Sequence, residues 1–455
     1  VLVEVSTGPV FQKGPVLYFS DRGESPPVVR KMASGQGNGD LEESLLDRKG
    51  HDKAKFEGTP LSAAVNLAAT AMGTGILTLP FAFAKCGRVR CGLLLVFLAL
   101  TTDVTLTLMV GVGRRLKLTS LGGVMRKLFG NAGNLSFTLM MITVLFLALT
   151  AMQRVVLDLL PTLLEEVLGL AAGALRPEVV SVIINAGVFS ACLSKSFHAL
   201  RFTSGAALAC ILPFMVAIVS KAAAAALDLG AAEEAPPPLA DVAGLDGLGA
   251  AAPLLASALC CHFSILDIDA ELQPRYRKHI FSVIHVVALG ILPVTYIVVA
   301  LSGVSLFGAN TAENVLTGFR GDTAMQLAKG VLSLTNALRM PLMVMPLLRM
   351  GTDVLRGAGK ARAAAALEAQ SWMAIFLLLS LSLLTACRMR VLTRVMGLLG
   401  GTGGVLACYC LPGLMHLAAP GEAASPARRL AASLAAGGAI AVGAVTAAAT
   451  ILTWN

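Results

Sequence analysis

The chain has 455 residues, of which 56% are hydrophobic and only 14% are charged, and its mean hydropathy is +0.77. A soluble protein carries roughly 25% charged residues, so the composition excludes an ordinary soluble domain and indicates an integral membrane protein with many helices. The net charge of +9 does not indicate a nucleic-acid partner. The basic residues lie in short loops between apolar segments, as expected for a protein in a lipid bilayer.

The N-terminal region differs from the rest of the chain. Residues 1–59 are polar, with glycine, serine, proline and charges of both signs. This composition predicts a disordered cytosolic tail. Residues 60–455 contain the apolar segments and predict one transmembrane domain.

Apolar windows of roughly 18–25 residues predict membrane-spanning helices. Eleven windows, spans one to eleven, lie near residues 61–84, 91–112, 135–157, 178–194, 199–225, 252–270, 280–305, 324–348, 370–387, 391–416 and 428–453. The predicted fold class is therefore an all-α polytopic membrane protein with about 11 transmembrane helices.

The charges of the loops predict the orientation of the chain. The loop after span two contains Arg114, Arg115 and Lys117, and the later even-numbered spans are also followed by basic residues. The long loop after span five has five acidic residues and no lysine or arginine, namely Asp228, Glu233, Glu234, Asp241 and Asp246. Because basic loops stay in the cytosol, the N-terminus is predicted inside. Arg388, Arg390 and Arg394, between spans nine and ten, do not fit this pattern.

Span one is interrupted in its middle by Gly73, Thr74 and Gly75 and is followed by Pro80. A membrane helix opens only where protein or a water-filled cavity satisfies the freed backbone groups, and transporters use such breaks to bind substrates and ions. Small residues at this spacing also let a neighbouring helix pack closely. The spacing alone leaves both interpretations open.

Eleven spans suit an inverted repeat, with spans one to five and six to ten as its halves and span eleven as an addition. The first span of each half is then broken, so span six should be irregular like span one. The middle of span six contains Cys261, His262 and Ser264 but neither glycine nor proline. The internal symmetry is therefore only weakly visible in the sequence.

Five stretches in order resemble the amino acid/auxin permease family of amino acid transporters. The most specific is Asn66–Gly87, whose Gly-Thr-Gly-Ile-Leu and Leu-Pro-Phe-Ala-Phe segments look like that family's first-span signature. The other four resemble its later spans and are Leu193–Ser204, His262–Leu272, Pro341–Arg349 and Gly400–Leu417. The resemblance covers about residues 59–417.

The resemblance implies a LeuT-type 5+5 inverted repeat plus one extra helix in a transmembrane transporter domain, 60–455. It implies an amino acid substrate, moved by alternating access in secondary active or facilitative transport. The expected substrate-binding residues are Asn66, Thr70, Gly73, Thr74, Gly75, Ile76, Cys261, His262 and Ser264. Helix N-termini suit a substrate carboxylate, and bare carbonyls suit its ammonium group.

Two departures from the family's sodium-coupled neutral amino acid branch bear on coupling. That branch has an asparagine, linked to sodium, at the place of Ala69, and a threonine just before the first proline of span eight. Here Arg339 lies two residues before Pro341. A fixed cation repels Na⁺, so we expect either proton coupling or no coupling. His262 and Arg339 are the candidate ion-coupling residues.

The sequence indicates roles for several further side chains, and some of these side chains have two open interpretations. Asn66 offers its carbonyl to an ion or bonds to a neighbouring helix, and His262 carries a coupling proton or has a structural role. Asp103, inside span two, pairs with a buried cation that the sequence does not identify. Arg154 is expected to extend to the membrane surface. Cys86 and Cys91 form a disulfide or remain free thiols.

An amino-acid sensor on the same fold is the alternative function. An enzyme is not expected, because the chain has no GxSxG, HExxH or Walker motif. We expect no cofactor and no metal site. The proton coupling considered above needs neither. The expected partners are the amino acid substrate and the bilayer of the plasma membrane or of a vacuolar or lysosomal membrane. The oligomeric state does not follow from the sequence.

Overall fold

The computed structural model describes residues 58–171, 173–193, 203–227, 245–389, 391–419 and 426–452. Within these ranges the chain is helical, and the only strand-type pairing is an isolated bridge between Gly58 and Leu272. Nearly all of the predicted tail, 1–59, and four of the five acidic residues of the loop after span five lie outside the described residues, whereas Asp246 lies within the helix Leu245–Ala258.

Each predicted window corresponds to a helix or a helix pair. Their bounds are Pro60–Ala71 with Thr74–Cys86, Arg88–Leu116, Leu121–Leu168, Pro177–Leu193, Thr203–Ala226, Leu245–Ala258 with His262–Ser264 and Ile265–Glu271, Arg277–Asn310, Thr323–Gly357, Ser371–Arg388, Leu392–Ala418 and Pro426–Leu452. In the described part of the chain, eight spans, or nine with the bent first pair, are long and apolar enough to cross a membrane, and spans four and eleven contain shorter apolar helices. The all-α polytopic fold class is confirmed.

The start of span one is fixed by local chemistry. The Thr59 side chain accepts a hydrogen bond from the Ser62 amide, and the Ser62 hydroxyl accepts one from the Thr59 amide. This reciprocal pair satisfies two amides that a helix start leaves without partners. Pro60 follows at the first helical position, where its missing N–H is not needed. The helix that carries the break therefore begins at a well-defined residue.

Span three is much longer than its predicted window, 135–157. The helix Leu121–Leu168 has 48 residues, and Gly130, with φ of +68°, interrupts it near its start. The part after Gly130 is about 57 Å long at 1.5 Å per residue, whereas the apolar core of a bilayer is about 30 Å thick. The window detected only the apolar middle of a helix that tilts or extends beyond the membrane.

The spans form two apolar clusters that follow the repeat. One cluster contains residues only of spans three, four, eight and nine, such as Leu149, Val188, Val344 and Leu379. The larger cluster joins spans one, two, six and seven and also includes residues of spans three, five, eight and ten. Spans three and eight, and spans four and nine, occupy matching places in the two halves. Spans three, four, eight and nine therefore share one packed cluster, as the predicted LeuT-type repeat requires.

Two buried charges of the membrane domain have partners that the sequence did not identify. Asp103 in span two accepts a hydrogen bond from Nδ1 of His285 in span seven, with 2.6 Å between the two atoms. Arg154 does not extend to the surface as expected. Its side chain is 13% exposed and donates to Asp158, one helical turn later, and to the Ala386 carbonyl. A carboxylate within reach removes the need for Arg154 to contact water.

Candidate functional site

The break in span one is a short stretch of open backbone. The helix Pro60–Ala71 ends at Met72, and the chain resumes as a 3₁₀ turn, Thr74–Thr78, followed by the helix Leu79–Cys86. The two parts are bent by 48° relative to each other. Helix ends leave backbone amides and carbonyls without helical partners, so this bend concentrates such groups deep within the protein.

The two glycines of the break face different surroundings. A Cβ added to Gly75 would lie 3.0 Å from the Cα and 3.1 Å from the Cβ of Ala258 in span six. A Cβ added to Gly73 would meet only Nη1 of Arg339, at 3.9 Å. Gly75 therefore provides close helix packing, while Gly73 leaves space in front of an arginine. The close-packing interpretation of the Gly-Thr-Gly segment therefore applies to Gly75, and the binding interpretation stays a prediction for Gly73.

Span six is also broken, although no glycine or proline marks the place. The helix Leu245–Ala258 ends, residues 259–261 are not helical, and a 3₁₀ turn, His262–Ser264, leads into the helix Ile265–Glu271. The Tyr296 hydroxyl in span seven donates a hydrogen bond of 2.7 Å to the Ala258 carbonyl, which is fully buried. The bond satisfies a carbonyl at the end of the first helix and so stabilises the break.

Polar side chains join the two breaks. The Ser264 hydroxyl lies 3.5 Å from Oγ1 of Thr70, which itself donates to the Asn66 carbonyl. The Thr74 hydroxyl lies 3.4 Å from Sδ of Met396 in span ten. Four predicted binding residues, Thr70, Thr74, Gly75 and Ser264, therefore lie where spans one, six and ten meet.

Other predicted site residues are packed away from this junction. Ile76 and Cys261 are fully buried within the main apolar cluster. The His262 ring is 1% exposed, Nε2 lies 2.7 Å from the Thr105 hydroxyl in span two, and the ring packs edge-on against Tyr409. Nδ1 of His262 is buried without a hydrogen-bond partner in the described structure. These side chains contact neighbouring spans.

Asn66 and Arg339 are both partly exposed inside the membrane domain. The Asn66 carbonyl accepts from Thr70, and its side-chain amide makes no hydrogen bond to a described residue. Arg339 lies at the middle of the helix Thr323–Gly357 and approaches Gly73. The break in span one thus carries the Thr74 hydroxyl and lies beside the Arg339 guanidinium, which are groups that bind a polar solute.

Direct polar contacts join the ends of spans one, two and six. The Arg114 guanidinium at the end of span two donates to both carboxylate oxygens of Asp269, at 2.7 and 3.1 Å, and to the Arg277 carbonyl. The Gly58 amide donates to the Glu271 carbonyl, which attaches the start of span one to the end of span six. Asp269 thus pairs with a cation in the last turn of span two.

At the other end, loops are fixed to the spans by buried and surface ion pairs. Lys329 is 1% exposed and donates to Glu166, at 2.9 Å, and to the Phe319 carbonyl. Asp322, just before span eight, accepts a hydrogen bond from Lys221, which holds the pKa of that carboxyl below its usual range.

Several residues of the site carried no sequence signal. Tyr296, Thr105 and His285 each contact a predicted residue or break from another span. Their partners are 38, 157 and 182 residues away in sequence. Cys86 and Cys91 are both free thiols. Among the described residues, no group of three or more His, Cys, Asp or Glu side chains could hold a metal ion.

Comparisons with known proteins agree with this geometry. Residues 57–453 match the model of the family described as transmembrane amino acid transporter protein. Amino acid transporter AVT6A of Arabidopsis thaliana is 27% identical over 320 residues, which cover 66% of this chain and 68% of that protein. Solute carrier family 38 member 10 of Homo sapiens is 23% identical over 358 residues, covering 77% of this chain and 32% of that protein.

Among solved structures, a manganese transporter of Eremococcus coleocola aligns with a TM-score of 0.47 and 10% identity, covering 86% of this chain and 93% of that one. The named relatives are transporters, and the chain is accordingly a transport protein of the membrane, not an enzyme. The family model matches almost the whole transmembrane region of this chain. The chain therefore belongs to the transmembrane amino acid transporter family.

Proposed function

We propose that this protein moves amino acids across the membrane by alternating access, with the substrate bound where spans one and six are broken. The observation that carries the proposal is that two interrupted helices meet, with Gly75 against Ala258 and Thr70 beside Ser264. Irregular backbone inside a membrane is tolerated only where it is buried in protein or lines a cavity. A zwitterion matches such a site, because its carboxylate suits open amides and its ammonium suits open carbonyls.

The moving part in this proposal is the group of spans one, two, six and seven. Spans three, four, eight and nine have their own apolar cluster, which supports a separate packed unit. The contacts of Arg114 with Asp269, and of Gly58 with Glu271, close one end of the path. Transport then requires these polar contacts to open while the two packed units stay intact, as in a rocking motion.

Transport is proposed to need no sodium. Ala69 is buried and has no side-chain oxygen for a cation. Arg339 places a guanidinium beside Gly73, and a fixed positive charge raises the free energy of Na⁺ nearby. A proton gradient, or the amino acid gradient alone, drives the cycle. The N-terminus is cytosolic in this proposal, and the membrane is the plasma membrane or that of a vacuole or lysosome.

Uptake by the purified protein in liposomes tests the proposal. A panel of labelled amino acids is offered with an imposed Na⁺ gradient, with an imposed pH gradient and with neither. We expect uptake of at least one amino acid that does not change when Na⁺ is replaced by choline. A strict Na⁺ requirement would contradict the coupling proposal. Binding of amino acids without any uptake would favour the sensor.

A further inference from the structure

Arg339 is a cation at the middle of a membrane span, and it has no partner among the residues that the structure describes. Nη1 lies 3.9 Å from the position that a Cβ on Gly73 would take, and no other described atom lies within 4 Å of that position. The Arg339 side chain makes no hydrogen bond and no ion pair with any described residue. It reaches the open backbone of span one across space that the glycine leaves free.

Other buried or half-buried cations of the membrane domain are paired. Lys329 donates to Glu166 and to a backbone carbonyl, and Arg154 donates to Asp158. Arg114 binds both carboxylate oxygens of Asp269. Within the described ranges, a carboxylate therefore lies beside each of these cations but not beside Arg339. Charged side chains inside a membrane domain pair with other groups or mark a substrate or ion path.

A guanidinium binds a carboxylate through two parallel hydrogen bonds and stays charged at every physiological pH. We propose that Arg339 binds the carboxylate of the transported amino acid beside Gly73, an assignment that rests on the proposed function. The glycine is then required because a side chain at residue 73 would occupy the space between the open backbone and Arg339. Substrate and guanidinium neutralise each other only while the site is loaded.

The same charge restricts the substrate class. Asp103 is paired with His285, and Asp269 is paired with Arg114, so neither carboxylate is free to neutralise a second cation at the break. A lysine-like or arginine-like substrate would bring an additional positive charge close to Arg339, and like charges repel more strongly where water is scarce. The substrates are therefore neutral or acidic amino acids with a free carboxylate, and amines, amino acid amides and cationic amino acids are rejected.

The first test uses the wild-type protein in liposomes and does not depend on any variant folding. Uptake of the labelled amino acids is measured alone and in competition with alanine or alaninamide, which differ in the carboxylate. We expect alanine to compete and alaninamide not to compete, with no uptake of labelled lysine. Equal competition by the amide, or efficient lysine uptake, overturns the inference while leaving amino acid transport itself intact. If no amino acid is transported and none raises the unfolding temperature, the proposed function fails as well.

The second test assigns the effect to Arg339. Arg339→Gln is expected to raise the KM for the amino acid by roughly tenfold or more, as expected for loss of a charged hydrogen-bonded pair. Arg339→Lys keeps the charge and should retain part of the uptake and the rejection of alaninamide. Arg349→Gln, an exposed position on the same helix, is the matched control and should behave as wild type. Unchanged KM in a folded Arg339→Gln protein overturns the assignment.

An inorganic anion is the competing occupant of this site. Replacing chloride with gluconate distinguishes the two, because carboxylate binding predicts uptake that does not depend on chloride. The opposite outcome has two parts: the wild-type protein loses uptake in gluconate, and uptake by Arg339→Lys does not depend on chloride. That result would identify Arg339 as a chloride site, and the carboxylate assignment would be wrong.

Discussion

Span one opens at Gly73 and Gly75, whereas span six opens at residues 259–261, a stretch without glycine or proline. The first break bends its helix by 48°. Span six has no bend above 40° and continues as a single span, Gly247–Glu271. In span one the backbone is released by residues without side chains, and a Cβ added to one of them, Gly75, would lie 3.0 Å from the Cα of Ala258 beside the other break. In span six the Tyr296 hydroxyl, from a different helix, satisfies the released carbonyl of Ala258.

The difference separates two ways of opening a helix inside a membrane. Glycine makes the open conformation accessible through the backbone itself, so the signal lies within a few residues of the break. A donor from a neighbouring span lowers the cost of an unpaired carbonyl, so the signal lies elsewhere in the chain. The break in span one is disrupted by adding a side chain to one of its glycines. The break in span six is disrupted by removing the hydrogen-bond donor in span seven, the Tyr296 hydroxyl.

The largest effect is expected from Gly75→Val. The new Cβ would lie 3.0 Å from the Cα of Ala258, and forcing extra atoms into a packed contact costs about 1–3 kcal/mol. Spans one and six would separate at the breaks, and uptake in liposomes should fall by roughly tenfold or more, since about 1.4 kcal/mol is a factor of ten.

Gly73→Ala is the matched comparison for Gly75→Val, because its Cβ meets only the flexible end of Arg339 at 3.9 Å. Its φ of −106° is also accessible to residues with a side chain. We expect the thermal unfolding temperature of Gly73→Ala to match wild type and its KM to rise. If both variants lost stability equally, the distinction between a packing glycine and a binding glycine would be wrong.

Tyr296→Phe should have the next largest effect, because it removes the donor that stabilises the break in span six. The Ala258 carbonyl is buried, and leaving such a group unpaired costs about 1–3 kcal/mol. A thermal unfolding curve of the purified protein should shift to lower temperature, and uptake should fall less than in Gly75→Val.

Tyr276→Phe is the control for Tyr296→Phe, since Tyr276 lies in the loop before span seven and its hydroxyl makes no hydrogen bond to a described residue. Equal shifts for the two variants would mean that Tyr296 has no particular role in stabilising the break.

The sequence predicted features that depend on neighbours along the chain. Apolar windows located the spans, and Gly73 with Gly75 located the first break. The second break was expected only from the repeat, because Cys261 and His262 carry no local signal for an open backbone. Contacts such as that of Asp103 with His285 join residues 182 apart in sequence. Hydropathy describes each residue by itself and contains no information about contacts between distant residues. It therefore predicted neither the Asp103–His285 pair nor the absence of a described partner for Arg339.

His262→Ala addresses coupling at the second break. We expect this variant to keep uptake down an amino acid gradient but to lose any stimulation by a pH gradient, because the imidazole is the ionisable side chain nearest the break in span six. His279→Ala, at an exposed loop position, is the control and should keep that stimulation. Full stimulation in the His262 variant would remove this residue from the coupling path and leave sodium-independent transport unaffected.

The smallest effect is expected from Ser264→Ala, which removes a side-chain hydrogen bond that joins the two breaks. The Ser264 and Thr70 hydroxyls are 3.5 Å apart, and Thr70 keeps its bond of 2.7 Å to the Asn66 carbonyl in the variant. A weak hydrogen bond with a remaining partner is worth at most about 0.5–1.5 kcal/mol, so KM should change by roughly threefold or less with an unchanged unfolding temperature. Ser305→Ala, in span seven and also bonded within its own helix, is the matched control. A loss of uptake as large as that of Gly75→Val would mean that the breaks are held together by this contact instead of by the packing of Gly75 on Ala258.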